Sequence, residues 1–521
     1  MKKLLLPLAI ASLTACGGGS NSSSDNAGGD SNGGNNGGGS PVVKDTTAPV
    51  LTNLTRQQAA TTRTRVEIAF NTSEAGKVAI QGKGCVLAAN QPDATEGDNK
   101  TEIQLTEGAG NYNCSIAVTD AAGNQSEFLA LPQFQRVLLQ DLTATAYIGP
   151  QDTRIELPPL PLAYEFYRSR DENCDLANYN SCEQGLLDVT SGEVTLVDSA
   201  LTATKAATYA LRVDGNNAKA TIETRDTWGG RQTWDMTPVN LSGKLFLLNG
   251  LFQSKIWSSD DGINWTEVEG HNLENRVFTD AKVFKERIWV LGGRKNGNDR
   301  VGDMWSSADG KTWRRDFTSA AFGQREFHQL AVYDNALWLI GGRNNTVDRK
   351  DVWKSGDGIN WTQVTADTGM STGLYDHQVV AVEGDGMYVF YNNNFRSDPR
   401  VVEVWKSQNG KDWNKLSEIP HRTDYSVAHK DGRLYVIGGV RLEASNAENN
   451  ILTSSDGITW SGQQATGAFE GFKNSDVIVF KDRFWRYGGL SVQSGGTSAI
   501  KTSKDGIEWR IPQTIKVQFP R

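Results

Sequence analysis

Six copies of one short pattern fill the second half of the chain: Ser, one residue, Asp or Asn, Gly, two residues, Trp. They read WSSDDGINW (Trp257–Trp265), WSSADGKTW (Trp305–Trp313), WKSGDGINW (Trp353–Trp361), WKSQNGKDW (Trp405–Trp413), LTSSDGITW (Leu452–Trp460) and KTSKDGIEW (Lys501–Trp509). The closing tryptophans stand 48, 48, 52, 47 and 49 residues apart. A near-constant period of this length means one supersecondary unit copied in series, with the copies packed in a ring or a stack.

Each copy carries a second landmark upstream of its turn. HQLAVYDNALWLIGG (His328–Gly342) reads as strand, two-residue turn, strand and Gly-Gly. Period-two alternation of apolar residues argues for strands, and paired glycines suit a tight backbone exit. Equivalent stretches are KLFLLNG (Lys244–Gly250), RIWVLGG (Arg287–Gly293), GMYVFYN (Gly386–Asn392), RLYVIGG (Arg433–Gly439) and RFWRYGG (Arg483–Gly489). Each unit therefore has strands A and B, a loop, strand C entering the Ser-x-Asp-Gly turn, and strand D starting at the Trp. Four antiparallel strands repeated six times is the pattern of a six-bladed β-propeller. The Gly-Gly and downstream Trp resemble kelch repeats. The turn resembles the Asp-box of sialidase-like propellers, with Ser258, Asp260, Gly262 and Trp265 matching the Ser-x-Asp-x-Gly-x-x-Trp spacing and the other copies varying from it. The resemblance covers residues 226–521.

All fifteen tryptophans lie at or after Trp228, so composition changes sharply near residue 225. The chain opens MKKLLLPLAIASLTAC, a basic start, a short apolar run and then Leu13-Thr14-Ala15-Cys16. The first two features are those of a signal peptide. The Leu-Thr-Ala-Cys ending (residues 1–16) resembles a bacterial lipobox, which implies lipidation of Cys16 and a membrane anchor. Gly17 after it implies the outer membrane, on its surface or periplasmic side. No other segment reaches the roughly 18 apolar residues of a membrane span. Residues 17–44 are rich in Gly, Ser and Asn, a tether unable to bury a core.

Between tether and propeller the expectation is two β-sandwiches, giving an all-β chain. Residues 45–136 begin DTTAPVLTNL and close CSIAVTDAAGNQSEF, ends that resemble bacterial immunoglobulin-like modules. Tyr112 stands two residues before Cys114, as in an immunoglobulin tyrosine corner. Residues 137–225, through VDSALTATKAATYALRV (Val197–Val213), resemble a fibronectin type III module without its strand-B Trp. Apart from Cys16 the cysteines fall two to each module, and an even count in an exported chain points to disulfides. The expected pairs are Cys85–Cys114 and Cys174–Cys182. Cys-x7-Cys without nearby His matches no zinc spacing, so no metal site is expected. No cofactor is expected either: galactose-oxidase-type copper enzymes share the kelch fold but need a Cys–Tyr cross-link, and this propeller has no cysteine.

The net charge of −8 is unsuited to non-specific nucleic-acid binding. Against it stands a local arginine pattern. Sixteen positions before the first Gly of the Gly-Gly pairs lie Arg276, Arg325 and Arg422, while the other blades have Thr233, Leu374 and Phe472 there. Just after the Gly-Gly come Arg294, Arg343 and Arg441. The start of A and the end of B share one face, so these arginines are expected to ring one mouth of the central channel. In kelch proteins that bind acidic peptides, an Arg at this strand-A position reaches the ligand, and forked guanidinium donors suit carboxylates. The competing reading is that copied arginines simply pair with carboxylates between blades. His328 and His377 occupy equivalent strand-A starts, as rim hydrogen-bonders or general bases.

Three function classes remain open. One is a ligand-, glycan- or protein-binding propeller on a lipid anchor, the partner being a glycan or an acidic protein. Another is an enzyme on an anionic sugar, for which Glu326, Asp376, Asp424 and Tyr425 are the candidate catalytic groups; six-bladed sialic-acid epimerases are similar in architecture. The third is a scaffold with no small ligand. Arg510-Ile511-Pro512 matches the sialidase Arg-Ile-Pro only in letters, since it follows the last Trp.

Overall fold

A computed structural model describes residues 44–518, less 57–59, 150–151, 158–161, 163, 170–184, 191–193, 199–206, 214–215, 223–235, 249–254, 296–298, 318–320, 346, 394–399, 441–448, 470–471, 474–475, 489 and 492–499. Every regular element in these residues is a β-strand. Among them, no helix is long and apolar enough to cross a membrane.

Five four-stranded antiparallel sheets follow one another along the chain, over Thr237–Glu267, Asp280–Phe317, Gln329–Thr365, Gln378–Pro420 and Thr423–Gln464, each with its strands in chain order. These are blades 1 to 5. Blade 6 has strand A (Asp476–Phe480), strand B (Arg483–Tyr487) and strand C (Lys501–Ser503), with Arg510 bridging Thr502 where strand D begins. B strands run nearly continuous in buried apolar residues, as in Ala336–Ile340, because neighbouring blades cover both of their faces. The core is accordingly divided into six clusters, one per blade boundary. Trp305 and Trp313 join blades 1 and 2, and Trp289 and Phe322 join 2 and 3. Trp338 and Trp413 join 3 and 4, Tyr388 and Val436 join 4 and 5, and Tyr435 and Trp509 join 5 and 6. The ring closes where Leu245, Leu247 and Trp257 of blade 1 pack on Phe480, Trp485 and Tyr487 of blade 6.

The repeated turn is held by its own side chains. In blade 2 the Ser307 hydroxyl accepts from the Gly310 amide at 2.9 Å, and Asp309 Oδ1 accepts from the amides of Lys311 and Thr312 at 2.8 and 2.7 Å. The Trp313 indole donates to the Gly310 carbonyl at 3.0 Å. Blade 1 does the same with Ser259 and Asp261, one step along from the Ser258 and Asp260 of the sialidase-type spacing. All six copies thus share one register, in which the Asp or Asn immediately precedes the Gly. That Gly has φ between +71° and +82° in every copy. A Cβ on it would press into the aromatic ring of the preceding blade's B strand; at Gly358 it would lie 2.5 Å from the Trp289 ring. The turn glycine and the B-strand aromatic are two halves of one inter-blade contact.

The chain's last strand leaves the propeller. Residues 511–518 pair antiparallel with Leu142–Ile148 on one side and with Asn216–Ile222 on the other. They lie inside an eight-stranded antiparallel sheet whose other strands come from residues 142–222. This corrects one expectation: residues 511–518 do not belong to the propeller, whose expected span was 226–521. The middle module, expected over residues 137–225, takes in residues 511–518 as well. Its edge strands, Gly185–Thr190 and Val194–Asp198, are separated by three residues, about 14 Å of chain at most, so the single sheet must curl until its edges approach. Ion pairs fix it to blade 6: Arg154–Glu508 at 2.7 Å, Lys504–Glu156 at 3.0 Å and Arg510–Asp152 at 2.7 Å. Arg483 also lies over the Tyr147 ring at 3.6 Å.

The N-terminal domain has a four-stranded sheet containing Arg65–Thr72 and Gly97–Leu105, and two three-stranded sheets, around a core of Ile68, Phe70, Ile103, Ile116 and Phe134. Cys85 and Cys114 are disulfide-bonded. The Tyr112 hydroxyl donates to the Glu107 carbonyl at 2.6 Å, the corner expected from its place before Cys114. Residues 1–43, with Cys16 and nearly all of the tether, and the Cys174–Cys182 pair lie outside the described residues.

Candidate functional site

The arginines at the sequence-aligned positions sink into the blades. Arg276 is 1% exposed and Arg325 and Arg422 are fully buried. Arg276 donates to the Gly292 carbonyl at 3.0 Å and to Asp303 at 2.8 Å. Arg325 donates to the Gly341 carbonyl at 2.7 Å and to both oxygens of Asp351 at 2.9 and 3.0 Å. Arg422 reaches the carbonyls of Gly438 and Asn450. Each therefore ties the start of A to the end of B and the start of C within its own blade. The carboxylates also accept the C-strand indoles, Trp305 to Asp303 at 2.9 Å and Trp353 to Asp351 at 2.8 Å. Burial would raise the Asp303 carboxyl, but hydrogen bonding and charge from Arg276, with the Trp305 indole, hold it below the usual carboxylate range. Blade 4 has Leu374 in place of the arginine, and there Glu403 takes Tyr391 and Lys415 as partners instead.

Of the second arginine set, Arg294 and Arg343 keep part of their side chains exposed. Arg294 lies over the Phe278 ring at 4.6 Å and beside Glu326 at 3.5 Å. Arg343 lies over Tyr375 at 4.6 Å and pairs with Asp348 at 3.3 Å. Arg441 falls outside the described residues. Glu326 is 1% exposed and accepts from Arg300 at 2.8 Å, so it bridges blades 2 and 3 rather than facing a ligand.

A cavity of about 320 Å³ opens at the mouth of the central channel, on the face where the A strands begin. It brings together Asp376, Asp424, Tyr425, His328, His377 and Arg343 from the candidates above, with Phe278, Phe327, Tyr375 and Asp476. It shares Thr237, Thr279, Gln329, Gln378 and Asp476 with a second space of about 390 Å³ that continues down the channel between the A strands. The middle domain contacts the opposite face, through Lys504 in the C–D turn of blade 6 and Arg483 beside its A–B turn. Among the described residues, none of that domain lines the cavity.

Three groups in the cavity wall occupy one register position in consecutive blades: His328, His377 and Tyr425, each three residues past the arginine-aligned site. His328 is 1% exposed, His377 is fully buried and Tyr425 is 3% exposed. Among the described residues the Tyr425 hydroxyl has no hydrogen-bond partner. Each imidazole faces one backbone partner in the preceding blade, Leu291 for His328 and Ile340 for His377, and that contact opposes its downward shift. Burial pushes His377 down to about 3, and burial with the Arg325 charge pushes His328 well below its ordinary value. Both rings are neutral at physiological pH. Burial and the Asp376 charge drive the Tyr425 hydroxyl far up, so it stays protonated. The Gly-Gly pairs make this packing possible: a Cβ on Gly292 would lie 3.1 Å from the His328 ring, and one on Gly341 3.2 Å from that of His377.

Phe278, Phe327 and Asp476 are cavity residues that motif reading missed. The signal was present for the first two, which follow Arg276 and Arg325 by two residues, as Asp424 follows Arg422. Outside the propeller, Asp45, Glu74 and Asp120 of the N-terminal domain bring carboxylate oxygens within 4.8 Å of one another.

No protein-family profile matches the chain, and no curated protein matches it. Among solved structures, that of YjhT is similar at a TM-score of 0.44 and 12% identity, over 52% of this chain and 95% of that one. So distant a likeness transfers no residue role.

Proposed function

We propose that this chain is a lipid-anchored envelope protein whose propeller binds a small ligand in the cavity at the channel mouth. The lipobox-like Cys16 and its leader support the anchor, and the Cys85–Cys114 bond fits an oxidising compartment. The observation that carries the binding reading is the trio of buried polar groups at one register position of the cavity wall, His328, His377 and Tyr425. The hydroxyl is without a partner among the described residues, and each imidazole has at most one backbone partner for its two nitrogens. A buried polar group left without a partner costs about 1–3 kcal/mol. Together the three amount to a set of donors and acceptors that a bound molecule would satisfy.

Tyr425 stays protonated and serves as a hydrogen-bond donor to a bound molecule. A scaffold without a small ligand is the second reading, supported by the internal pairing of Arg276 and Arg325. A glycan and small-molecule screen on the full chain separates the two. Gln378→Trp places an indole in the cavity and is expected to abolish any binding found, while the melting temperature of the propeller stays within a few degrees. Binding undiminished by the plug, or no ligand in the screen, would favour the scaffold.

A further inference from the structure

The A strands run from the mouth down the wall of the central channel, so their successive residues stand at successive depths. Phe278 and Phe327 come first, two residues past the arginine-aligned position. One step deeper stand His328, His377 and Tyr425, and a further step brings Thr237, Gln329 and Gln378, which the two spaces share. Thr237, Phe278, Phe327, His377, Tyr425 and Asp476 belong to blades 1 to 6 in turn, so the wall encircles the cavity. Phe278 and Phe327 have left-handed backbones, with φ of 55° and 56°, a region that bulky residues occupy at a cost. Asp376 and Asp424 hold the same conformation in blades 4 and 5, with φ of 53° and 56°, and Asp tolerates it. The phenyl rings are thus kept against a backbone preference that a smaller residue would meet. They stack at 4.3 Å between centroids, and both stay partly exposed. Strain retained at the mouth of a cavity points to a use for the rings there.

We propose that the cavity receives the end unit of a linear glycan, entering along the channel axis with its pyranose ring on the Phe278–Phe327 pair. This deepens the cavity reading above and rests on it. One face of a pyranose ring is lined with C–H groups and packs on aromatic rings, leaving the hydroxyls at the ring edge. Each sugar hydroxyl both donates and accepts, as do a neutral imidazole and a side-chain amide. His328, His377, Gln329 and Gln378 are groups of that kind at the two deeper levels. The Tyr425 hydroxyl, without a partner among the described residues, adds a donor. Because all six blades close around these groups, a chain lying across the face meets only the rim, and an end is what reaches them. Asp376, Asp424 and Asp476 have interactions of their own, and the contacts assigned to the sugar are with uncharged groups alone.

The test titrates the full-length protein calorimetrically with maltohexaose, cellohexaose, xylohexaose and mannohexaose. Binding capacity is then measured on the polymer of the sugar that binds, in fractions of graded chain length. Capacity per gram is expected to fall in proportion to chain length, since each chain offers its end and not its interior. Tyr425→Phe removes a hydroxyl that has no partner among the described residues, so affinity is expected to fall about fivefold with the melting temperature unchanged or raised. Phe327→Asn keeps a residue suited to the left-handed backbone and is expected to weaken binding about tenfold. Capacity per gram independent of chain length, with Gln378→Trp still abolishing binding, overturns end recognition and leaves the cavity reading standing. Full affinity in both Tyr425→Phe and Phe327→Asn, or no hexaose bound, overturns the glycan inference. If binding persists in Gln378→Trp, both readings fall together.

Discussion

The Arg325 guanidinium lies across the Asp351 carboxylate, with donors 2.9 and 3.0 Å from its two oxygens and the arginine fully buried. It joins three strands of blade 3 at the face where the ligand cavity opens, without itself lining that cavity. Arg325→Ala leaves Asp351 buried and uncompensated, which costs about 3–5 kcal/mol. Replacing both partners with leucine removes the charge as well as the bond, so the double variant is expected to be more stable than the single one. Urea unfolding of the three proteins measures this. A loss under about 1 kcal/mol for Arg325→Ala would show that the pair is not holding the blade.

The contact between Gly358 and the Trp289 ring makes a sharper claim about the repeated turn. A Cβ at Gly358 meets the ring at 2.5 Å in addition to its φ of +81°. Gly384 has a similar φ of +76°, and nothing stands within 4 Å of its Cβ position. Gly384→Ala is therefore expected to cost about 1 kcal/mol from the backbone alone, and Gly358→Ala about 3–4 kcal/mol with overpacking added. Trp289→Leu should recover part of the second loss when combined with Gly358→Ala. Equal melting temperatures for the two alanine variants would remove the inter-blade contact as the reason for the glycine.

Those two contacts mark how far the sequence could be read. The blade count, strand order and turn followed from local spacing, because each blade is built from consecutive strands and each turn hydrogen-bonds to itself. Burial of the arginines was harder to see, since an exposed Arg and a buried one look alike in a repeat. A carboxylate two residues before the C-strand Trp pairs with the arginine in two blades, Asp303 before Trp305 and Asp351 before Trp353. It is no rule, since Arg422 is buried with Asn450 at that position and Glu403 stands there in the blade that has no arginine. Where Arg325 has Asp351, Leu374 has no such need, and Glu403 turns to Tyr391 and Lys415. The cavity wall depends on left-handed backbones at Phe278 and Phe327, which nothing in the residue type announces. The fate of Ile511–Gln518 was not legible either. Its partners lie more than 290 residues away at Asn216–Ile222 and further still at Leu142–Ile148, and strand pairing over such distances leaves no local trace.

Buried neutral histidines give the protein an acid limit. His377 titrates near 3 when folded and near 6.5 when unfolded. Between those values the unfolded chain binds the extra proton, so stability rises with pH and falls on acidification. The contribution is complete above about pH 6.5 and declines by up to about 1.4 kcal/mol per pH unit below it. His328, depressed in the same direction, adds to the slope. Asp357, held near 2 against the raising effect of burial by amide hydrogen bonds from Asn360 and Ile359, joins only below about pH 3.8. Melting temperature is thus expected to be flat above pH 7 and to drop between pH 6.5 and 4, and His377→Gln should flatten that drop. A wild-type profile unchanged from pH 7 to 4.5 would mean that the imidazoles are not buried as described.

The last strand gives the strongest test of how the chain is assembled. Leu142–Ile148 and Asn216–Ile222 each pair with residues 511–518, so without that strand the middle sheet is split into two pieces with unpaired inner edges. Arg510 remains, but its contacts to the Tyr147 and Asp152 carbonyls lose the strand that aligns them. Deleting residues 511–521 is expected to make segment 142–222 sensitive to protease and to lower the first thermal transition. The propeller, in which the Leu245–Trp485 cluster joins blades 1 and 6, should keep its own transition. Adding a synthetic peptide of residues 511–521 should restore protection by filling the vacated position between the two strands. If the truncated chain instead loses the propeller transition and keeps 142–222 protected, the tail closes the ring after all.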